Sequence, residues 1–182
     1  MEVICVTGVP GTGKTTLSKK IAKKLNYYYI DVNKLISKYK LSENYDKKRR
    51  TKIVDVNKLN YFLISEINSI KNKSSNQKSN NDIQLKNKIK KYNGIIIDSH
   101  LSHYLPKKYV DFCIVTKCDV KKLNRRLKNK KFHKEKIKEN LEAEIFDICY
   151  NEAIEGKHKV ITVDTTKGFN INAIASYMMF RC

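Results

Sequence analysis

Residues 8–15 read GVPGTGKT, a complete G-x-x-x-x-G-K-[ST] pattern with Gly8, Gly13, Lys14 and Thr15 in the required places. The run EVICVT before it reads as a short apolar strand. In TLSKKIAKKL after it, Leu17, Ile21, Ala22 and Leu25 recur at helical spacing. Strand, glycine-rich loop and helix in that order point to an α/β fold with the loop at the carboxyl end of a strand. Gly11 and Gly13 lack a Cβ, so the backbone can curl and aim several N–H groups at one point, while the following helix adds its own unpaired donors and dipole. Such a nest suits a polyphosphate. Lys14 would bring a point charge to the β- and γ-phosphates, and the Thr15 hydroxyl suits Mg²⁺, a hard ion that prefers oxygen ligands. The expected ligands are therefore a nucleoside triphosphate and Mg²⁺. The loop alone does not name the reaction.

The rest of the chain alternates in the same manner. YYYI at 27–30 reads as a strand and 31–39 as a helix capped by Asp31, followed by the polar segment KLSENYDKKRRTK. Residues 53–70 predict an amphipathic helix through Leu59, Phe62, Leu63, Glu66 and Ile67. Residues 71–91 are Lys- and Asn-rich and nearly free of large apolar groups, so they read as an inserted surface loop, at least partly disordered. GIIID at 94–98, FCIVTKC at 112–118 and KVITVD at 159–164 read as buried strands, with a helix after each of the last two. Residues 133–155 predict one long helix with Ile137, Leu141, Ile145, Ile148 and Cys149 on its inner face. Strands alternating with helices imply a parallel sheet covered on both faces.

A chain of 182 residues is long enough for one domain with a sizeable core. No stretch approaches the roughly 20 apolar residues of a membrane span, and a core strand at the N-terminus leaves no room for a leader. The expectation is a soluble, intracellular monomer, cytoplasmic or nuclear. Five scattered cysteines without CxxC spacing indicate neither a disulfide framework nor a zinc site. The formal net charge of +20 favours anionic partners such as RNA, a ribosomal particle or acidic protein surfaces. A Lys- and Asn-biased composition explains the same charge without binding, and composition leaves both readings open.

Asp98 closes the apolar run GIII and fits a Walker B carboxylate that would hold Mg²⁺ beside Thr15. His100, two residues on, would share its side of an extended segment at the rim of the site, where a neutral imidazole could orient water or contact a terminal phosphate. His103 reads as incidental.

Four segments carry a resemblance: GVPGTGKTT at 8–16, NYDKKRRTKIVD at 44–55, GIIIDSHLSHYLP at 94–106 and RRLKNKKFHKEKIKENLEAEIF at 125–146. In order and approximate distance they resemble the adenylate kinase isoenzyme 6 family, small P-loop nucleoside monophosphate kinases also linked to small-ribosomal-subunit maturation. The similarity spans nearly the whole chain except 71–91. Its most specific elements are the D-x-H at 98–100, the following L-P, and K-I-x-E-N-x-x-x-E-I-F.

The resemblance implies a five-stranded parallel sheet and assigns roles by position. Gly11, Thr12, Gly13, Lys14, Thr15 and Thr16 would bind ATP phosphates, and Asp98 and His100 would form the Walker B pair. Residues 31–54 would bind the monophosphate, and residues 129–139 would be the lid, excluding water so that the γ-phosphoryl group reaches AMP. Two departures stand out. Lys47 to Arg50 replace an acidic stretch, and Lys130 stands where the family's lid has an Arg, keeping the charge without the bidentate fork. Arg126 matches the family and is the remaining Arg for stabilising charge at the transferring group. Residues 164–167 would lie near the base. The activity implied is ATP:AMP phosphotransfer with ATPase activity and a role in 18S rRNA maturation, with small-subunit ribosomal protein and pre-ribosomal RNA as partners. The alternative is an assembly ATPase switch with little kinase activity.

Overall fold

The computed structural model describes residues 1–46, 51–75 and 91–179. Five parallel strands form the central sheet: β1 (Glu2–Thr7), β2 (Tyr27–Asp31), β5 (Gly94–Asp98), β6 (Phe112–Lys117) and β7 (Val160–Asp164), in the order β2-β5-β1-β6-β7. This is the predicted doubly wound sheet, and all five expected strands are present. Both faces are covered, because alternate residues of each strand enter different cores. Val3, Cys5, Ile95, Ile97, Cys113 and Val115 pack on one side. Ile4, Val6, Ile96, Phe112 and Ile114 pack on the other.

Helix α1 (Lys14–Leu25) buries Leu17 and Ile21 completely in the second core. Each such side chain contributes about 2–3 kcal/mol by leaving water. Asn26, in the left-handed region at φ 54°, ends the helix and turns the chain into β2. Helix α2 (Val32–Lys38) starts where expected, with Asp31 Oδ1 accepting from Asn33 N at 3.1 Å and Lys34 N at 3.3 Å. Helix α3 (Val56–Ser75) presents Leu59, Leu63 and Ile67, all fully buried, to the first core.

Four expectations need correction. The polar segment after α2 contains an antiparallel hairpin, β3 (Ser42–Asp46) with β4 (Thr51–Val54), rather than loop alone. β4 takes Ile53 and Val54 from the predicted 53–70 helix, because Asp55 caps Asn57 N at 2.7 Å and Lys58 N at 3.2 Å and starts α3 later. At its other end α3 continues to Ser75, so the first five residues of the 71–91 insertion are helical. Extending a nucleated helix through polar residues is far cheaper than starting one. The rest of the insertion as far as residue 90, and Lys47 to Arg50, lie outside the described residues.

The single helix over 133–155 is in fact two, α5 (Lys134–Ile145) and α6 (Ile148–Glu155). Asp147 sits between them at φ 55°. The break is enforced from β6: Lys117 Nζ donates to the Glu144 carbonyl at 3.3 Å and pairs with Asp147. Cys118 N donates to the buried Glu144 Oε1 at 2.8 Å. Rotation at the break leaves Ile145 57% and Ile148 41% exposed rather than inward, while Ile137, Leu141 and Cys149 pack against Val9, Leu123 and Leu127. Helices α4 (Val120–Asn129) and α7 (Ile171–Met179) complete the layers. Among the described residues no helix is long and apolar enough to cross a membrane.

Candidate active site

A cleft of about 1190 Å³ opens at the carboxyl ends of β1, β5 and β7, the position that the motif order predicts. Its floor is the loop after β1. Gly8 takes φ +132°, and a Cβ there would lie 2.5 Å from Thr116 Oγ1 and 2.6 Å from the Thr116 carbonyl oxygen. Gly13, at φ +99°, is the N-cap of α1. Gly11, Gly13, Lys14, Thr15 and Thr16 line the cleft. Thr12 does not join them. Its hydroxyl is buried beneath the loop, within 2.7 Å of the Val9 carbonyl and 2.6 Å of Thr116 Oγ1, where it braces the turn.

Lys14 Nζ donates to the Gly8 carbonyl at 2.7 Å and the Val9 carbonyl at 3.0 Å. Burial pushes its pKa down to about 8, with the nearby Lys130 adding to the shift and Cys149 and Asp98 opposing it. The ammonium is thus poorly solvated and held where an anion in the cleft would meet it.

Asp98 ends β5 and is buried, with Tyr29 donating to its Oδ2 at 2.8 Å. Burial, reinforced by this bond, raises the Tyr29 phenol well above its usual pKa, so the hydroxyl stays a donor. The bond orients the carboxylate from one side. Thr15 lines the same cleft as Asp98 and is exposed. A hydroxyl and a carboxylate facing one cavity are hard oxygen donors, and with phosphate and water oxygens they fit Mg²⁺. His100 lies at the rim and keeps part of its surface open to solvent. Desolvation in the cleft, then Lys14, His103 and Lys136, lowers its pKa to about 4, so the ring is neutral near pH 7.

Arg126 and Lys130 both reach the cleft, but differently. The Arg126 guanidinium donates to the Thr165 carbonyl at 2.8 Å, Thr165 Oγ1 at 3.2 Å and the Gly11 carbonyl at 3.4 Å. It ties α4 to the phosphate loop and to the turn after β7. Lys130, the C-cap of α4, is exposed. Thr165 and Lys167 line the end of the cleft where the sequence expects the base, beside Phe169.

Several site residues carry no sequence signal of their own. Tyr29 lies in a strand with nothing to mark its partner across β5, and Thr165 looks like any turn threonine. Lys136 and Asn140, which also line the cleft, are parts of the quoted K-I-x-E-N motif, and Asn33 lies in the segment expected to bind the monophosphate.

With this geometry in view, the comparisons are specific. Residues 4–147 match the family described as AAA domain. A "Putative adenylate kinase" of Methanocaldococcus jannaschii is 33% identical over 163 residues, covering 90% of this chain and 76% of the relative. An adenylate kinase isoenzyme 6 homolog of Caenorhabditis elegans is 31% identical over 152 residues, 84% of this chain and 72% of the relative. The chain belongs to the adenylate kinase isoenzyme 6 family. A solved structure of a "putative kinase" from Chloroflexus aurantiacus shares the fold, with a TM-score of 0.55 and 16% identity, over 99% of this chain and 94% of that one. This family member is an adenylate kinase-type enzyme with a nucleotide-binding P-loop. The phosphate-loop residues Gly11, Gly13, Lys14, Thr15 and Thr16 line the same cleft as Asp98, His100, Lys130 and Lys136.

Proposed function

We propose that the protein transfers the γ-phosphoryl group of ATP to AMP, giving two ADP, with Mg²⁺ as cofactor. The observation that carries this reading is the buried Lys14 ammonium in the same cleft as Thr15, Asp98, His100 and the basic residues Lys130 and Lys136 that follow α4. Loop amides and the α1 N-terminus would hold the β- and γ-phosphates, and Lys14 would exchange its two carbonyl acceptors for charged phosphate oxygens, which bind it more strongly. Thr15 and Asp98 would hold the metal, which neutralises phosphate charge when bound.

In the transfer, an AMP phosphate oxygen forms a bond to Pγ as the bond from Pγ to the β–γ bridging oxygen breaks, and that oxygen leaves on ADP. The protein's share is alignment and charge neutralisation. Residues 31–54, with Asn33 at the cleft, would seat the monophosphate; residues 129–139 would close over it and bring Lys130 toward the moving group. Neutral His100 would donate one hydrogen bond to a terminal phosphate or to water, not a charge. Residues 1–182 act as one kinase domain in this reading.

A second reading is supported by the net charge of +20: an ATPase that acts on small-subunit ribosomal protein or pre-ribosomal RNA, with hydrolysis as the switch. The test mixes ATP and Mg²⁺ with AMP, CMP, UMP or no acceptor and follows ADP. AMP-dependent ADP formation is expected. Phosphate release independent of any acceptor supports the ATPase instead, and stimulation only by CMP or UMP overturns the choice of AMP.

A further inference from the structure

Behind the phosphate loop, polar side chains connect α6 to β1 without entering the cleft. Both Glu152 oxygens are engaged, Oε1 by the Tyr104 hydroxyl at 2.8 Å and Oε2 by His103 Nε2 at 2.9 Å. The other ring nitrogen, His103 Nδ1, lies 2.6 Å from Thr7 Oγ1. His103 and Thr7 are both buried. His158, from the turn after α6, places Nε2 2.8 Å from the His103 carbonyl.

The acceptors decide where the protons sit. A carboxylate can only accept, so His103 carries a proton on Nε2; in the neutral ring Nδ1 is then bare and accepts the Thr7 hydroxyl proton. Desolvation lowers the His103 pKa, outweighing the opposing pull of Glu152, and His158 acts in the same direction as desolvation. A carbonyl likewise only accepts, so His158 donates from Nε2, which leaves its buried Nδ1 without a partner among the described residues. The charged or titratable groups facing His103 are thus Glu152 from α6, His158 from the turn beyond it, and His100 and Tyr104 from its own loop.

Thr7 is the residue at which this chain reaches the site. It ends β1 directly before Gly8, and its carbonyl accepts from Thr116 Oγ1 at 3.1 Å. Its one hydroxyl proton goes to the nearer acceptor, His103 Nδ1 at 2.6 Å, rather than to the His100 carbonyl at 3.4 Å, so His103 is the grip on the loop that also carries His100. The loop carrying His100 hangs from the same strand end, because the Val6 carbonyl accepts from Ser99 N at 3.2 Å and Ser102 Oγ at 3.1 Å. We propose that His103 is a positioning residue: gripped by Glu152, it holds the Thr7 hydroxyl and so sets the loop bearing His100 against the phosphate-binding turn. This rests on the reading of that cleft as the site of phosphoryl transfer.

The test uses the full chain with Thr7→Val and Thr7→Ser. Valine keeps the side-chain volume and loses the hydroxyl; serine keeps the hydroxyl and loses a methyl. Positioning predicts that Thr7→Val lowers kcat about tenfold with the KM for ATP within about twofold, and that Thr7→Ser stays within about twofold of wild type in both. A packing role predicts the reverse ranking, and Thr7→Val as active as Thr7→Ser overturns the proposal. Nitrogen-15 spectra of the wild-type histidines give a readout independent of turnover. Expected are a His103 ring protonated on Nε2 and bare on Nδ1, and His100 ring signals that shift in Thr7→Val but not in Thr7→Ser. A proton on Nδ1, whether or not Nε2 also carries one, overturns the proposal, also if Thr7→Val does not fold. Wild-type protein that folds but makes no ADP from AMP defeats the phosphotransfer reading, while the spectra still judge the bridge.

Discussion

Along residues 8–16, backbone shape does most of the positioning: glycines take positive φ, Thr12 is locked under the turn, and the Lys14 ammonium is anchored on two carbonyls. Across the cleft, at 129–140, the groups facing the cavity are long side chains on a turn and the first turns of α5, and Lys130 is exposed. The first wall is stiff because every element of it leans on a neighbouring strand. The second is held by fewer such ties: Lys130 is exposed, and Lys136 Nζ lies 4.8 Å from the centre of the Phe132 ring. One wall is suited to holding a ligand in a fixed pose, and the other to closing on it.

The comparison breaks most visibly at Lys14. Lys14→Ala should lower phosphotransfer by about three orders of magnitude or more while circular dichroism remains native, since it removes the charge proposed to meet the transferring phosphate. Retained turnover would mean that the stiff wall is not the catalytic one. Next in size is Gly8→Ala, which forces a Cβ against Thr116 in a left-handed backbone. It should cost about 2–4 kcal/mol in urea unfolding. A neutral result would show that this wall yields.

The alkaline limb gives a smaller effect. Lys14, lowered to about 8 by burial, loses its ammonium as pH rises through that value in the free protein. Above it, kcat/KM for ATP should fall about tenfold per pH unit. The stability effect runs the opposite way. The unfolded lysine still binds its proton between about 8 and 10.5, so this group makes the fold more stable as pH rises across that window. On the adjustable wall, Lys130→Arg should raise kcat a few-fold, about 1 kcal/mol at most, by restoring a planar fork. Smallest is Lys138→Ala: the Lys138–Glu142 pair spans 3.7 Å with side chains 78% and 51% exposed. Thermal unfolding should register a change of about 0.5 kcal/mol or less.

The legibility of the sequence followed the same division. The five strands, the phosphate loop and Asp98 were readable because each depends on local pattern: uninterrupted apolar runs for strands buried on both faces, and fixed glycine spacing for a turn. The break in the 133–155 helix was not readable. No glycine or proline marks it, and its cause is Lys117 and Cys118, whose partners Glu144 and Asp147 lie 26 and 30 residues along the chain. The β3–β4 hairpin was hidden for a related reason, since a small, mostly polar two-stranded ribbon lacks the apolar alternation that marks a strand. Arg126 was visible as a candidate, but its hold on Gly11 and Thr165 was not.

By itself the sequence determined that this chain winds a parallel sheet and ends its first strand in a nest for phosphate, because strand burial and glycine geometry are properties of a few consecutive residues. The tertiary structure decided which groups brace the candidate site: Tyr29 on Asp98, Thr12 under its own loop, Arg126 across to Thr165, and Glu152 through His103 to Thr7. These pairings join separate elements at distances that only the completed fold sets.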